Sequence, residues 1–154
     1  MNLTSRTRMG LSSRFHVAVD GIQLGGWSSC KGLAVEFENE IVHVGGSYDE
    51  SWVLPTRLKY SNVTLTRAIT ADGTKAVQAW LRQMQQEWLN SEDDGDRGGT
   101  ATITLMDTAG DLSKPAFQWT LRNVYPKSWK GPDMDATSGN VALEQLELIH
   151  QGFL

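Results

Sequence analysis

The chain has 154 residues, 40% of them hydrophobic and 21% charged, with a formal net charge of −4. This is the composition of one globular domain, long enough to bury roughly 70% of its extended surface without staples. The acidic balance argues against a nucleic-acid or anionic-membrane surface, which needs a clustered basic face, and the single cysteine, Cys30, excludes an intrachain disulfide and a cysteine-based zinc site.

Residues 1–13 are polar and aperiodic. They are expected to form a flexible arm ahead of one domain over 14–154. The opening MNLTSRTRMGLSSR has no apolar h-region, and no run approaches the ~18 apolar residues of a membrane span. The expectation is a chain made in the cytoplasm without a Sec-type signal. RFHVAVD puts Phe15, Val17 and Val19 on one side and runs into Asp20-Gly21, a strand and its turn. LAVEFENEIVHV, 33–44, alternates again. GGSYDESWVLPTR, 45–57, mixes two glycines and a proline with polar residues and reads as a long excursion. KYSNVTLTRAIT, 59–70, is a β-branched strand. From Thr74 to Leu89 the apolar residues fall at Val77, Trp80, Leu81, Met84 and Trp88, the spacing of a helix face, with Asp72 or Thr74 as the cap. SEDDGDRGG, 91–99, is a loop, and strands follow at 100–107, 116–124 and in the closing stretch.

That closing stretch, NVALEQLELIHQGF, pairs Val141 with Leu143 and Leu146 with Leu148, but the two pairs are out of phase. A β-bulge near Gln145 restores one apolar face and leaves Glu144 and Glu147 together on the other. The other strands divide alike. Val63, Leu65 and Ile69 oppose Asn62, Thr64 and Thr66; Ile103 and Leu105 oppose Thr102 and Thr104; Phe117, Trp119 and Leu121 oppose Gln118, Thr120 and Arg122. Such alternation describes an antiparallel sheet with one wet face. The fold class is therefore α+β, mainly β: an antiparallel sandwich or barrel with one helix at about 74–89.

Little in the sequence points to catalysis. His16, His43 and His150 lie on separate segments, and Cys30 has no recognisable partner. No nucleophile elbow, P-loop or dinucleotide fingerprint occurs. The acidic run Glu92, Asp93, Asp94, Asp96 lacks the spacing of a calcium loop. Glu144 and Glu147 have the residue types of a glycosidase acid pair, without a cleft to go with them. Of the six tryptophans, Trp80, Trp88 and Trp119 fall on core faces. Trp27, Trp52 and Trp129 fall in loops, where exposure would mark a contact surface such as a carbohydrate platform.

In order along the chain stand F-x-V-x-V-D-G (15–21), Gly25-Gly26-Trp27, Gly32-Leu33 with Glu36 and Glu38, Gly45-Gly46, and LPTRLKYSNVTLTR (54–67). After a helix carrying Trp80 come Asp107-x-x-Gly110, W-x-L-x-N (Trp119, Leu121, Asn123) into Pro126, Lys130-Gly131-Pro132, and V-A-L-E-x-L-E-L-x-H-x-G (141–152). Over residues 14–153 this resembles the inner-tube proteins of contractile phage tails and phage-tail-like injection systems, related in fold to the haemolysin-coregulated tube protein. Cys30 departs from the pattern, where Ser or an acid is expected.

The resemblance implies a structural protein with no cofactor, metal or catalytic residue. Its copies form six-membered rings that stack into a tube inside a sheath, with baseplate and terminator or cap proteins at the ends. The cargo is DNA or a protein effector, without specific nucleic-acid recognition. A tube-initiator or baseplate-adaptor ring is the alternative within the family, and a carbohydrate-binding β-sandwich a more distant one. On this reading the strand edges join copies into a ring. Gly45, Gly46, Tyr48, Trp52 and Pro55 make the stacking loop. Asn62, Thr64, Thr66, Thr102, Thr104, Gln118, Thr120, Arg122, Glu144 and Glu147 face the lumen. Arg67 intrudes on the apolar phase of its strand, as a strand-end arginine snorkelling to water or as one half of an ion pair with Glu144 or Glu147 across the ring seam. In the second case Arg67→Ala weakens ring assembly on size-exclusion chromatography while the monomer stays folded.

Overall fold

The computed structural model describes residues 15–46, 49–90, 98–106 and 115–154. The expected arm at 1–13, the acidic run at 92–96, Tyr48 and the Asp107-x-x-Gly110 motif lie outside them.

Chain order is β1 (Phe15–Val19), β2 (Ile22–Gly26), β3 (Ser29–Lys31), β4 (Val35–His43), β5 (Ser51–Tyr60), β6 (Val63–Ala68), α1 (Ala71–Asn90), β7 (Gly99–Leu105), β8 (Phe117–Lys130) and β9 (Leu143–Ile149). Seven strands form one antiparallel sheet in the order β2-β1-β7-β8-β9-β6-β3, and β4 and β5 form a separate hairpin. Among the described residues the protein is mainly β with one helix, as expected, and the seven-stranded sheet does not close into a barrel.

The β1–β2 turn is Asp20-Gly21, both with positive φ (50° and 77°). That pair of conformations matches the twist of a two-residue hairpin, and Asp-Gly supplies it at low cost. The helix is capped ahead of both candidates, two residues before Asp72: the Thr70 hydroxyl accepts the Gly73 N–H at 3.2 Å. Val77, Trp80 and Met84 are buried, whereas Trp88, expected on the same face, is exposed.

Strand β8 is the hinge of the sheet. Its first half pairs with β7 as far as Val124↔Gly99, and its second half pairs with β9 from Tyr125↔Ile149. The ladder slips between Pro126 and Ser128, a bulge that accommodates a proline with no N–H to donate. The two halves thus curl around one core. Val17, Ile103 and Leu121 from one half and Val63, Leu65, Leu146 and Leu148 from the other belong to a single buried cluster, with Trp80 of the helix.

The curl brings the two edge strands together. β2 and β3 are joined by Trp27-Ser28 alone, and the Ser28 N–H reaches the Thr66 carbonyl on β6 at 2.9 Å. That bond continues the β3–β6 ladder one residue beyond Ser29, and β2 and β3 remain the two edge strands of the sheet.

β9 is a regular strand. It pairs with β6 without interruption from Val63↔Leu148 to Ala68↔Leu143. No bulge occurs at Gln145; Glu144, Leu146 and Leu148 face the core together, and Leu143 points out. The 45–57 excursion is likewise corrected. Residues 51–60 are strand β5, paired with β4 along its length, with Thr56 as an extra residue where the register slips after Glu38.

Gly32 has φ +99°, and a Cβ there would stand 1.9 Å from the Asn62 carbonyl oxygen. Gly32→Ala should therefore cost at least ~2 kcal/mol in chemical denaturation, from backbone strain and forced displacement of the β5–β6 turn.

Candidate functional site

The β4–β5 hairpin has two unlike faces. Directly opposed pairs are Phe37↔Leu58 and Ile41↔Val53 on one side, and Glu36↔Lys59, Glu38↔Arg57, Glu40↔Leu54 and Val42↔Trp52 on the other. Alternation along each strand produces the split. Near the root of the charged side Arg57 donates to Glu38 and holds its carboxyl below the usual range. On the apolar side Phe37, Ile41, Val53 and Leu58 are between 44% and 65% exposed. Large apolar side chains in one stripe on a two-stranded ribbon mark a surface meant to be covered. Trp52 and Pro55, expected in a stacking loop, lie on β5, and Gly45-Gly46 turns the hairpin.

The second cluster is buried. Arg67 of β6 sits directly opposite Glu144 of β9, the two 6% and 0% exposed. Arg67 Nε donates to Glu144 Oε1 at 2.6 Å, and Trp129 Nε1 donates to Glu144 Oε2 at 3.1 Å. Arg67 Nη1 donates to the carbonyls of Leu24 and, at 3.2 Å, Gly26, both on β2. The guanidinium carbon lies 3.9 Å from the centre of the Trp27 ring. One side chain thereby bridges β6 to the opposite edge of the sheet, where no strand pairing exists. Two glycines make room: a Cβ on Gly25 would stand 3.3 Å from Nη1, and one on Gly73 3.0 Å from Nη2.

This placement corrects two expectations. Glu144 does not face a lumen, because it answers the only cation of the same buried stripe. The Arg67–Glu144 pair lies within one chain, not across a seam. Glu147, three residues on, points away from the core. Asn62 donates to it at 3.2 Å and Ser128 at 3.4 Å, with Lys127 Nζ at 3.5 Å. The Asn62 bond above all holds the Glu147 carboxyl below its usual range. With the two carboxylates on opposite faces there is no acid pair for glycoside hydrolysis. The three loop tryptophans do not come together as a platform: Trp27 is in the core and Trp129 is tied to Glu144, leaving Trp52 alone exposed among the three.

The remaining residues expected to be wet fall into two groups. Thr64, Thr66 and Glu147 lie on the outer face of the β6–β9 half, with Asn62 bonded beside them. Thr102, Thr104, Gln118, Thr120 and Arg122 lie on the β7–β8 half, where Thr104 is buried and its hydroxyl accepts from Gln118 at 3.3 Å. Since both halves wrap one core, these outer faces look in different directions. Burial raises the Cys30 thiol to about 11, which leaves it protonated and unreactive at neutral pH.

The described residues thus present an exposed apolar stripe on a two-stranded hairpin beside one buried core. Residues 11–154 match the family described as T4-like virus tail tube protein gp19. The chain belongs to that family, which is structural and not enzymatic. Solved chains share its fold. One, from the sheath-tube complex of the extracellular contractile injection system PVC in its extended state, has a TM-score of 0.71 at 21% identity, over 94% of this chain and 88% of that one. Another, from the anti-feeding prophage tube-terminating cap, has a TM-score of 0.71 at 22% identity, over 96% and 90%. A third, from the anti-feeding prophage baseplate, has a TM-score of 0.67 at 23% identity, over 94% and 93%. No curated protein matches the sequence.

Removing Arg67 leaves a buried carboxylate without its cation, which typically costs about 3–5 kcal/mol. Arg67→Ala should therefore destabilise the isolated monomer by that order in urea. Arg67→Met with Glu144→Leu should recover most of the loss, since an apolar pair of similar volume is often neutral. A monomer as stable as wild type after Arg67→Ala would contradict the structural role.

Proposed function

We propose that the chain is the repeating subunit of the inner tube of a contractile tail or injection particle. Rings stack into a hollow tube, and contraction of a surrounding sheath drives the tube and its DNA or protein cargo through a target envelope. Family membership supports the tube. A fold relative solved in a 6-fold symmetrised baseplate motivates six copies per ring. Relatives from sheath-tube, baseplate and cap structures motivate sheath, baseplate and cap proteins as partners. The same spread leaves the tube-initiator reading to be separated by copy number per particle.

The observation that carries assembly is the hairpin arm. Its apolar stripe and its two outer edges have no partner elements in the sheet order of the chain. Covering a Phe, Ile, Val or Leu side chain contributes roughly 1.5–3 kcal/mol before ordering costs. Four such side chains, each already partly covered, contribute a share of the free energy of every contact. A heterologous contact of this kind closes into a ring or propagates along an axis. Gly45, Gly46, Trp52 and Pro55 belong to the same arm and reach the neighbouring copies with it. Of the two wet faces, one lines the bore and the other looks toward the sheath. A lining of Thr, Asn, Gln and isolated charges offers cargo few apolar groups to stick to.

The triple variant Phe37→Ser/Ile41→Ser/Val53→Ser should remain a folded monomer, because those side chains are exposed, yet lose assembly on size-exclusion chromatography and by negative-stain microscopy. Assembly equal to wild type would contradict the role of the arm. In tubes bearing Thr64→Cys or Thr102→Cys on a Cys30→Ser background, a maleimide too bulky for the bore should label one site and spare the other. Equal labelling of both would contradict the division of faces.

A further inference from the structure

The closing motif ends in His150-Gln151-Gly152, and the proposed tube role gives the histidine no task. His150 is buried at the root of the hairpin arm. Its Nδ1 is 3.1 Å from the Gly152 N–H, and its Nε2 is 2.9 Å from the carbonyl of Ser61, in the turn between β5 and β6. A backbone N–H can only donate, so Nδ1 is the acceptor and Nε2 carries the proton. The ring packs edge-on against Tyr60, the last residue of β5, at 5.5 Å, and beside Phe153 at 6.1 Å; Tyr60 and Phe153 meet at 5.2 Å.

Gly152 is held on the other side by β8: its carbonyl accepts the Arg122 N–H at 2.9 Å, and the Gln151 N–H donates to the Arg122 carbonyl at 2.8 Å. A Cβ on Gly152 would stand 2.8 Å from both the Arg122 guanidinium and the Tyr60 ring. The titratable and charged groups shown around this corner are thus the Tyr60 phenol from β5 and the Arg122 guanidinium from β8.

We propose that neutral His150 is an acid-sensitive latch, fixing the root of the β4–β5 arm to the C-terminal turn and releasing it on protonation. A proton added at Nδ1 removes the acceptor of the Gly152 N–H. It also places a cation among two aromatic rings and near the Arg122 guanidinium. Burial holds the imidazole below the free value, while the Ser61 carbonyl pulls weakly the other way. The sign follows from linkage: the unfolded chain binds the proton more readily than the folded one. Stability from the latch is therefore present above about pH 6.5 and is lost as the pH falls through the lower folded value.

The assembly arm of the test rests on the tube reading; the monomer arm does not. In the monomer, nitrogen-15 NMR of the histidines should show His150 as the Nε2–H tautomer with a midpoint below 6.5. Denaturant stability between pH 7.5 and 5 should fall more steeply for wild type than for His150→Asn, whose amide oxygen can replace Nδ1 as acceptor of the Gly152 N–H but takes no proton. His16 and His43 are present in both proteins, so their contribution cancels in the comparison. A midpoint at or above 6.5, or equal slopes for the two proteins, would overturn the latch; if the variant does not fold, the wild-type midpoint decides. In assembled protein, tubes formed at pH 7.5 should shorten at pH 5 for wild type and persist for His150→Asn. Failure to form tubes at pH 7.5 counts against the tube reading alone, and equal persistence at pH 5 counts against acid release of the arm.

Discussion

A guanidinium taken out of water at the end of β6 sets the terms for the rest of the molecule. Its desolvation is tolerable only because a carboxylate, two carbonyls and an indole face surround it. Those partners come from two places far apart in sequence: Glu144 on β9, and the stretch from Leu24 to Trp27 at the end of β2. Arg67 thus ties the first edge strand of the seven-stranded sheet across to β6, with its Nη2 left without a hydrogen-bond partner. The carbonyls of β2 would otherwise be orphaned at an open edge. Arg67 takes two carbonyls of the β2 edge, whereas the outer sides of β4 and β5, the long strands of the hairpin, pair with no strand among the described residues. On the proposed tube role, the buried cluster holds the body together and leaves the arm to meet the partners.

Much of this was legible from periodicity. The β1 strand, its Asp-Gly turn, the wet and dry faces of β6 and β7, and the helix are local patterns that tertiary contacts did not override. The closing strand was misread because two facts look alike in a linear sequence. A charged residue in the apolar phase can signal a bulge, or it can signal a buried partner elsewhere. Arg67 and Glu144 both break the apolar phase of their strands. Placed opposite one another, each accounts for the other, and no bulge is needed. Only the β6–β9 register reveals that, and strand order is not a local property.

The hairpin was hidden for a different reason. Glycines, a proline and acids between 45 and 57 suggest a loop, and each is compatible with one. Yet Pro55 lies on a strand whose outer side has no partner, so its missing N–H costs nothing there, and the extra residue Thr56 absorbs the change of register. The apolar residues on β5 alternate with polar ones too irregularly to announce a strand, since neither face packs on the chain's own core. Likewise the single wet face became two because β8 passes from one half of the sheet to the other, which a list of alternating residues cannot show. The H-x-G ending carried a recoverable signal: an imidazole two residues before a glycine is placed to accept that glycine's N–H.

Together these parts describe a stiff, curled body carrying an adhesive ribbon, with the tail-tube family supplying the architectural context. Electron cryomicroscopy of the purified protein is the direct measurement of how the copies meet. The account predicts hollow tubes in which the Phe37–Ile41–Val53–Leu58 stripe of each subunit lies buried on a neighbour, while Arg67 still bridges β6 to β2 inside every subunit. Tubes joined through β2 and β3 with the ribbon free in solvent would contradict it, as would a protein that remains monomeric at every concentration.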